Sequence, residues 1–144
     1  MRLSQRADYS VRMMVDVASM SNGQRTTISE VARRQDVPEP FMAKIASRMA
    51  AAGLVATQRG TGGGLAMARP ADSITLLEIV EAIDGPIALT RCTLEPSRCP
   101  RSTKCAVHPV WEQAQRQLKE RLSHTRLSDI AQAQKVLTPV HSAS

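Results

Sequence analysis

The stretch TISEVARRQDVPEPFMAKIASRMAAAGLVATQRGTGGGLAMA, from Thr27 to Ala68, decides the fold. Thr27-Ile28-Ser29-Glu30 has the form of a capping box, in which a Thr side chain and a Glu three residues later satisfy each other's free amides. A short helix follows to about Arg34, and Gln35-Asp36-Val37 turns the chain. Pro38 and Pro40 then sit where the first turn of a helix tolerates missing N–H groups. Met42, Ile45 and Met49 form an apolar stripe that runs up to Gly53, a C-terminal stop. Two short helices around a tight turn make a helix-turn-helix. Leu54 to Gln58 and Leu65 to Ala68 flank Arg59-Gly60-Thr61-Gly62-Gly63-Gly64, which predicts two strands around a glycine-rich tip. A hairpin placed directly after the second helix of such a pair is the wing of a winged helix, with Arg59 at its base.

Upstream, Ser4 is the N-cap of a first helix to about Met20, with Val11, Met14, Val15 and Ala18 at helical spacing, and Ser21-Asn22-Gly23 breaks it. Downstream, Arg69 to Asp72 is a connector. Thr75-Leu76-Leu77-Glu78 is a second capping box, opening a helix that presents Leu76, Ile79, Val80 and Ile83 and closes at Gly85-Pro86. A cysteine loop occupies about 90 to 105. A long helix then carries Val107, Val110, Trp111, Ala114, Leu118 and Leu122 on one face. That stripe exceeds what a small domain needs to cover one helix, so part of it is expected to meet a second subunit. The expected fold class is mainly α with a small β wing. Its organisation is a winged helix-turn-helix over 1–70, a cysteine loop and dimerisation helices over 71–132, and a disordered tail over 133–144.

At 144 residues and 42% hydrophobic, the chain holds one domain with a core and an appendage. Its formal net charge is +6, unevenly placed. Residues 1–70 carry ten Lys/Arg against five Asp/Glu, whereas 71–144 carry nine against eight. A basic half joined to a nearly neutral one points to a polyanion, nucleic acid before membrane, because no stretch pairs a dense cationic face with a bulky apolar one. No apolar run reaches the length of a membrane span, and Met1 to Arg6 lacks the apolar core of a signal peptide. A cytoplasmic protein with reduced thiols is the expectation.

Cys92, Cys99 and Cys105 are the only cysteines, and His108 follows, giving Cys-x6-Cys-x5-Cys-x2-His. Three thiols cannot pair off, so the set reads as metal ligands rather than a disulfide framework. Pro96 and Pro100 keep the segment out of a helix and let it fold around an ion. Arg91, Arg98, Arg101 and Lys104 lie among the thiols, where cations are expected to favour thiolates and offset the charge of a thiolate-ligated cluster. Cys105 and His108, three apart at a helix start, share one face, which makes His108 a candidate fourth ligand; the alternative is a solvent-facing helix histidine. A structural Cys3His zinc site is the main rival, although zinc ligand pairs usually lie two to four residues apart. A Cys105/His108 nucleophile is weaker still, since no neighbour in sequence orients the imidazole.

On the second helix of the pair, Pro40, Ala43, Lys44 and Ser47 lie opposite the Met42/Ile45/Met49 stripe, with Arg48 at its edge. Such a face can enter a major groove, Lys44 reaching a phosphate or guanine, Ser47 a phosphate, and Phe41 or Pro40 a thymine methyl; an ordinary solvated face is the bland alternative. The glycine run has no following Gly-Lys-Ser/Thr and opens no helix, so it is not a nucleotide loop. In a wing, its amides approach minor-groove phosphates and Arg59 inserts beside them.

Met1-Arg2-Leu3-Ser4, Asp8-Tyr9-Ser10-Val11-Arg12, the wing from Val55 to Gly64, Ile74-Thr75-Leu76-Leu77-Glu78-Ile79-Val80 and the three cysteines together resemble the Rrf-type winged helix-turn-helix regulators, a family that includes IscR, NsrR and RirA. The resemblance covers nearly the whole chain. It implies a homodimeric transcription factor, usually a repressor and not an enzyme. Its double-stranded DNA operator affinity would follow an iron-sulfur cluster (2Fe-2S or 4Fe-4S) on Cys92, Cys99 and Cys105. In IscR-like members a histidine at the place of His108 is the fourth ligand; in NsrR-like members it is an aspartate from the partner subunit, which Asp8 matches. The first cysteine gap is one residue longer than in IscR-like members and one shorter than in many NsrR and RirA members, so both subtypes stay open. Ala43 departs from IscR-like readers, which carry a glutamate there. The candidate DNA-contacting residues are Arg2, Thr27, Pro38, Pro40, Phe41, Ala43, Lys44, Ser47, Arg48, Arg59, Gly60 and Gly62.

Overall fold

The computed structural model describes residues 2–20, 24–60, 64–101 and 103–138. It is mostly helical with a two-stranded antiparallel wing, in the order α1 (Gln5–Ala18), α2 (Ile28–Gln35), α3 (Glu39–Ala51), β1 (Val55–Gln58), β2 (Gly64–Met67), α4 (Leu76–Asp84), α5 (Arg91–Leu94), α6 (His108–Ser123) and α7 (Leu127–Leu137). Short 3-10 turns lie at Ala71–Ser73 and Pro96–Arg98.

The helix starts follow their caps. Ser4 Oγ accepts from the Ala7 amide at 3.0 Å and opens α1. Thr75 and Glu78 form the full reciprocal box at α4, with Glu78 N to Thr75 Oγ1 at 3.2 Å and Thr75 N to Glu78 Oε2 at 2.9 Å. At α2 only half of the expected box forms. Thr27 Oγ1 accepts from the Glu30 amide at 3.1 Å, but the Glu30 carboxylate accepts from the buried Thr26 hydroxyl at 3.1 Å instead of turning back to Thr27. Asp36 ends α2 in the left-handed region at φ 54°, and Pro38 and Pro40 flank the first residue of α3 as expected.

α1 is the central helix. Ala7, Ser10, Met13, Met14, Val15 and Val17 are all buried, whereas Val11 and Ala18 are only partly covered, so the buried surface is wider than one amphipathic stripe. It is wider because α2, α3, α4, α7 and β2 all pack against it. The core joins these residues to Val31, Met42, Ile45, Met49, Leu54, Leu65, Ile79, Val80, Ile83 and Leu127. The helix-turn-helix is tied to α1 by Arg34, which holds the largely buried Asp16 carboxylate at 2.7 Å, and by Arg12, whose guanidinium donates to the Gln35 carbonyl.

The wing pairs Val55 with Met67 and Gln58 with Gly64. Thr26 adds an isolated bridge to Leu65, which anchors the hairpin to the start of α2. The tip at 61–63, including Gly62 of the candidate set, lies outside the described residues.

Past α6 the chain forms a further helix. Leu127 and Ala131 are buried and Ile130 partly so, at i, i+3 and i+4 spacing, and they dock α7 against α1. The helix continues beyond Ala131 to Leu137, through positions 133–137 of the expected disordered tail; residues 139–144 lie outside the described residues. Two backbone bonds lock α7 to the start of α4, Leu76 N to Thr125 O and Leu127 N to Ile74 O, both at 2.9 Å.

Candidate functional site

The α3 helix divides by burial. Met42, Ile45, Ala46 and Met49 are buried, and Phe41, Ala43, Lys44, Ser47 and Arg48 are exposed together with Pro38 and Pro40 at its start. The 3.6-residue period produces this division, since the apolar positions lie on one side of the helix and the polar ones opposite. Phe41 is held from behind by Tyr9 of α1, ring edge to ring face at 6.5 Å and 83°. Tyr9 in turn accepts a hydrogen bond from Gln5 Nε2 at 2.8 Å and lies 5.5 Å below the Arg12 guanidinium. Thr27 is exposed, but one hydroxyl lone pair is committed to capping α2. Arg59 and Gly60 are exposed at the end of β1, with Gly60 at φ +92°. Arg2 is exposed beside a cleft of about 170 Å3 that it shares with Asp84, Pro86 and Ile87.

The cysteine segment is arranged differently from its reading in sequence. Cys92 is the second residue of α5, and Cys99 closes the 3-10 turn that follows. Cys105 lies in irregular chain ahead of α6 rather than on the helix, so it and His108 do not share a helical face. Their link is a turn, His108 N to Cys105 O at 3.2 Å. His108 is 7% exposed and faces Cys92, with Nδ1 3.3 Å from Sγ. Its other nitrogen, Nε2, meets Glu112 at 2.9 Å, one helical turn on. The imidazole therefore does have an orienting carboxylate, but its thiol is Cys92 and not Cys105. Glu112 carried a signal in the sequence, the i, i+4 spacing from His108, which gains meaning only once His108 starts the helix.

The Thr90 hydroxyl, 3.0 Å from Cys92 Sγ, is the main cause that lowers the Cys92 pKa, and the His108 hydrogen bond adds to it. The same contact with Cys92 raises the pKa of His108, with Glu112 supporting it. A thiolate beside an imidazolium is the arrangement these shifts favour.

The donor types suit a thiolate-ligated cluster, but the arrangement does not assemble them. Cys92 and His108 are in contact, while among the described residues no group of three or more His, Cys, Asp or Glu is placed to hold a metal ion. Cys99 and Cys105 are half-exposed and free. Asp8 is exposed on the first turn of α1, 3.8 Å from Arg12.

Three contacts fix the chain that leads into this segment against α6, α4 and the start of α1. Leu89 N donates to Gln115 Oε1 of α6 at 3.0 Å, and Ile87 N donates to Glu81 Oε2 of α4 at 2.8 Å. Asp84, at the end of α4, accepts from the Ser4 hydroxyl at 2.6 Å. Exposed apolar side chains gather around the same segment, Leu94 of α5 with Val107, Val110 and Trp111 at the start of α6. No helix among the described residues is long and apolar enough to cross a membrane.

Comparison with known proteins places this geometry. The Rrf2 family model, described as iron-dependent transcriptional regulator, matches residues 3–133. The HTH-type transcriptional regulator IscR of Escherichia coli O1:K1 is 31% identical over 137 residues, which cover 95% of this chain and 84% of that protein. Among solved structures, IscR of T. potens aligns with a TM-score of 0.77 at 22% identity, over 96% of this chain and 91% of that one. CymR, the global cysteine regulator of B. subtilis, aligns with a TM-score of 0.76 at 24% identity, over 92% and 98%. The chain belongs to the Rrf2 family of winged-helix transcriptional regulators.

Proposed function

We propose that the protein is a homodimeric, DNA-binding repressor that reads a palindromic operator and takes its signal at the cysteine segment. The observation that carries this reading is the division of α3, whose buried side is locked into the core while Lys44, Ser47 and Arg48 stand exposed on a basic half of the chain. Each subunit lays α3 in a major groove, and Arg59 with Gly60 brings the wing to the neighbouring minor groove. Pro38 and Thr27 sit at the two helix starts, where backbone amides meet phosphates. The exposed Leu94, Val107, Val110 and Trp111 supply the apolar surface for a second copy.

The signal-receiving role rests on donor chemistry and on the family's iron dependence. Cys92, Cys99, Cys105 and His108 are the proposed ligands of an iron-sulfur cluster, with Asp8 of a partner subunit as the rival fourth donor. They form a ligand set only once Cys99 and Cys105 join the Cys92–His108 pair. Because Glu81 of α4 and Gln115 of α6 hold the chain that leads into the segment, and Asp84 joins α4 to α1, a change of order around the cysteines alters the platform beneath α3. Half-site spacing in DNA is fixed, so small shifts of one α3 against the other change affinity.

Gel shifts with the protein's own promoter region test the reading. A salt-sensitive, sequence-selective complex is expected in the cluster-bound or the apo form, weakened in Lys44→Ala and Arg59→Ala, and its absence in both forms overturns the regulator assignment. Iron with acid-labile sulfide after anaerobic purification supports the sensor; zinc alone supports a zinc-stabilised interaction module. Anaerobic His108→Ala and Asp8→Ala proteins, compared by iron count and Mössbauer spectrum, choose the fourth ligand. Loss confined to Asp8→Ala turns the assignment to the NsrR-like, nitric oxide-sensing subtype.

A further inference from the structure

A cleft of about 160 Å3 opens where α1, α3 and α4 meet, lined by Arg6, Phe41, Lys44, Ile45, Arg48 and Ile83. Ile45 and Ile83 are buried and make its floor, and Phe41 is an exposed apolar wall. The other three lining residues are cations, each exposed, and no carboxylate is among them. Several other cations on or near these helices are paired: Arg12 with Asp8, Arg34 with Asp16, Arg69 with Glu78 and Lys119 with Glu81. Arg6, Lys44 and Arg48 have no such partner among the described residues. Three like charges around one cleft repel one another, and an anion seated between them relieves that repulsion.

The geometry points to a seat for one backbone phosphate of duplex DNA, with Arg6 of α1 completing a clamp whose other arms, Lys44 and Arg48, stand on the helix assigned to the groove. This rests on the DNA-binding reading above and adds a residue and a contact to it. A phosphodiester fits better than a free anion for two reasons. The cleft opens beside the exposed face of α3, and its Phe41 wall is apolar, as suits the sugar that flanks a backbone phosphate. A contact shared by α1 and α3 would set how far α3 enters the groove, as a residue of α3 alone could not. Ile83 adjoins Asp84, whose carboxylate holds the Ser4 cap, so the seat also depends on the junction of α1 with α4.

The test is fluorescence anisotropy of the full-length protein with an operator duplex and a random duplex across a salt series. Arg6→Ala is expected to weaken both complexes about tenfold. It should also flatten the slope of log K against log salt by about 0.9, the value for one lost phosphate. Arg6→Lys should keep most of the affinity, and ethylation interference should show one phosphate that matters to the wild type and not to Arg6→Ala. If Arg6→Ala melts early, Arg6→Gln, which keeps most of the side-chain stem, takes its place. A wild type that binds operator and loses affinity in Lys44→Ala, beside an Arg6→Ala protein with unchanged affinity and slope, overturns the seat and leaves the DNA-binding reading standing. A wild type that binds no duplex overturns that reading itself. Inorganic phosphate that displaces the duplex at submillimolar concentration, at constant ionic strength, would mark the cleft as a free-anion site and overturn the inference.

Discussion

His108 lies against Cys92, Nδ1 to Sγ at 3.3 Å, although sixteen residues separate them in the chain. One non-local and one local feature produce the contact: α5 packs against the start of α6, and Glu112, one helical turn on, turns the imidazole so that its other nitrogen meets the thiol. Thr90 approaches the same sulfur from the cap of α5.

In reduced, cluster-free protein, Cys92 is therefore expected to react as a thiolate below the ordinary thiol range. A lowered pKa means that the alkylation rate climbs to its plateau at lower pH. Thr90→Val removes the largest cause and should move the midpoint up most, with His108→Ala moving it in the same direction. Iodoacetamide labelling of Cys92, followed peptide by peptide across pH, gives the three midpoints. Equal midpoints in the wild type and both variants would contradict the assigned contacts.

Gly64 begins β2 at φ +132°, and a Cβ built there would lie 2.3 Å from the Thr26 carbonyl oxygen. That oxygen accepts from Leu65 N in the bridge that anchors the wing, so it cannot retreat without loss. Gly64→Ala combines a strained backbone with a clash, and a loss of about 2 kcal/mol or more is expected in urea unfolding. DNA affinity should fall with it, because Arg59 and Gly60 are carried by the same hairpin. An alanine variant with wild-type stability would show that the wing is not seated against Thr26.

Ser4 has two roles at one point, accepting from the Ala7 amide and donating to Asp84. Ser4→Ala should cost about 1 kcal/mol from the lost cap, with a further fraction from the lost hydroxyl bond to Asp84, which keeps its bond from the Ser4 amide. Asp84→Ala removes only the second part. A double-mutant cycle by urea denaturation separates them, and a coupling of zero would mean that the Ser4 hydroxyl does not join α1 to Asp84.

The sequence by itself determined whatever depends on residues within about four positions of each other. Ser4, Thr27 and Thr75 cap their helices because the amides they satisfy are three residues away, and Gly53 and Gly85 end helices by their own φ of +76°. The Met42/Ile45/Met49 stripe fixed which side of α3 is buried, since helical phase is local. The tertiary structure alone decided contacts between distant segments. Thr26 takes the Glu30 carboxylate away from its capping box, because burial against the wing leaves the Thr26 hydroxyl needing an acceptor. Leu127, Ile130 and Ala131 become a core helix because α1, against which α7 packs, buries more of its surface than the single-stripe pattern reveals, Ala7, Ser10 and Met13 included. Cys105 leaves the helix and Cys92 takes its place beside His108, since which thiol meets the imidazole depends on how α5 packs on α6. Such choices are settled by the burial of the whole chain at once, and no local spacing encodes them.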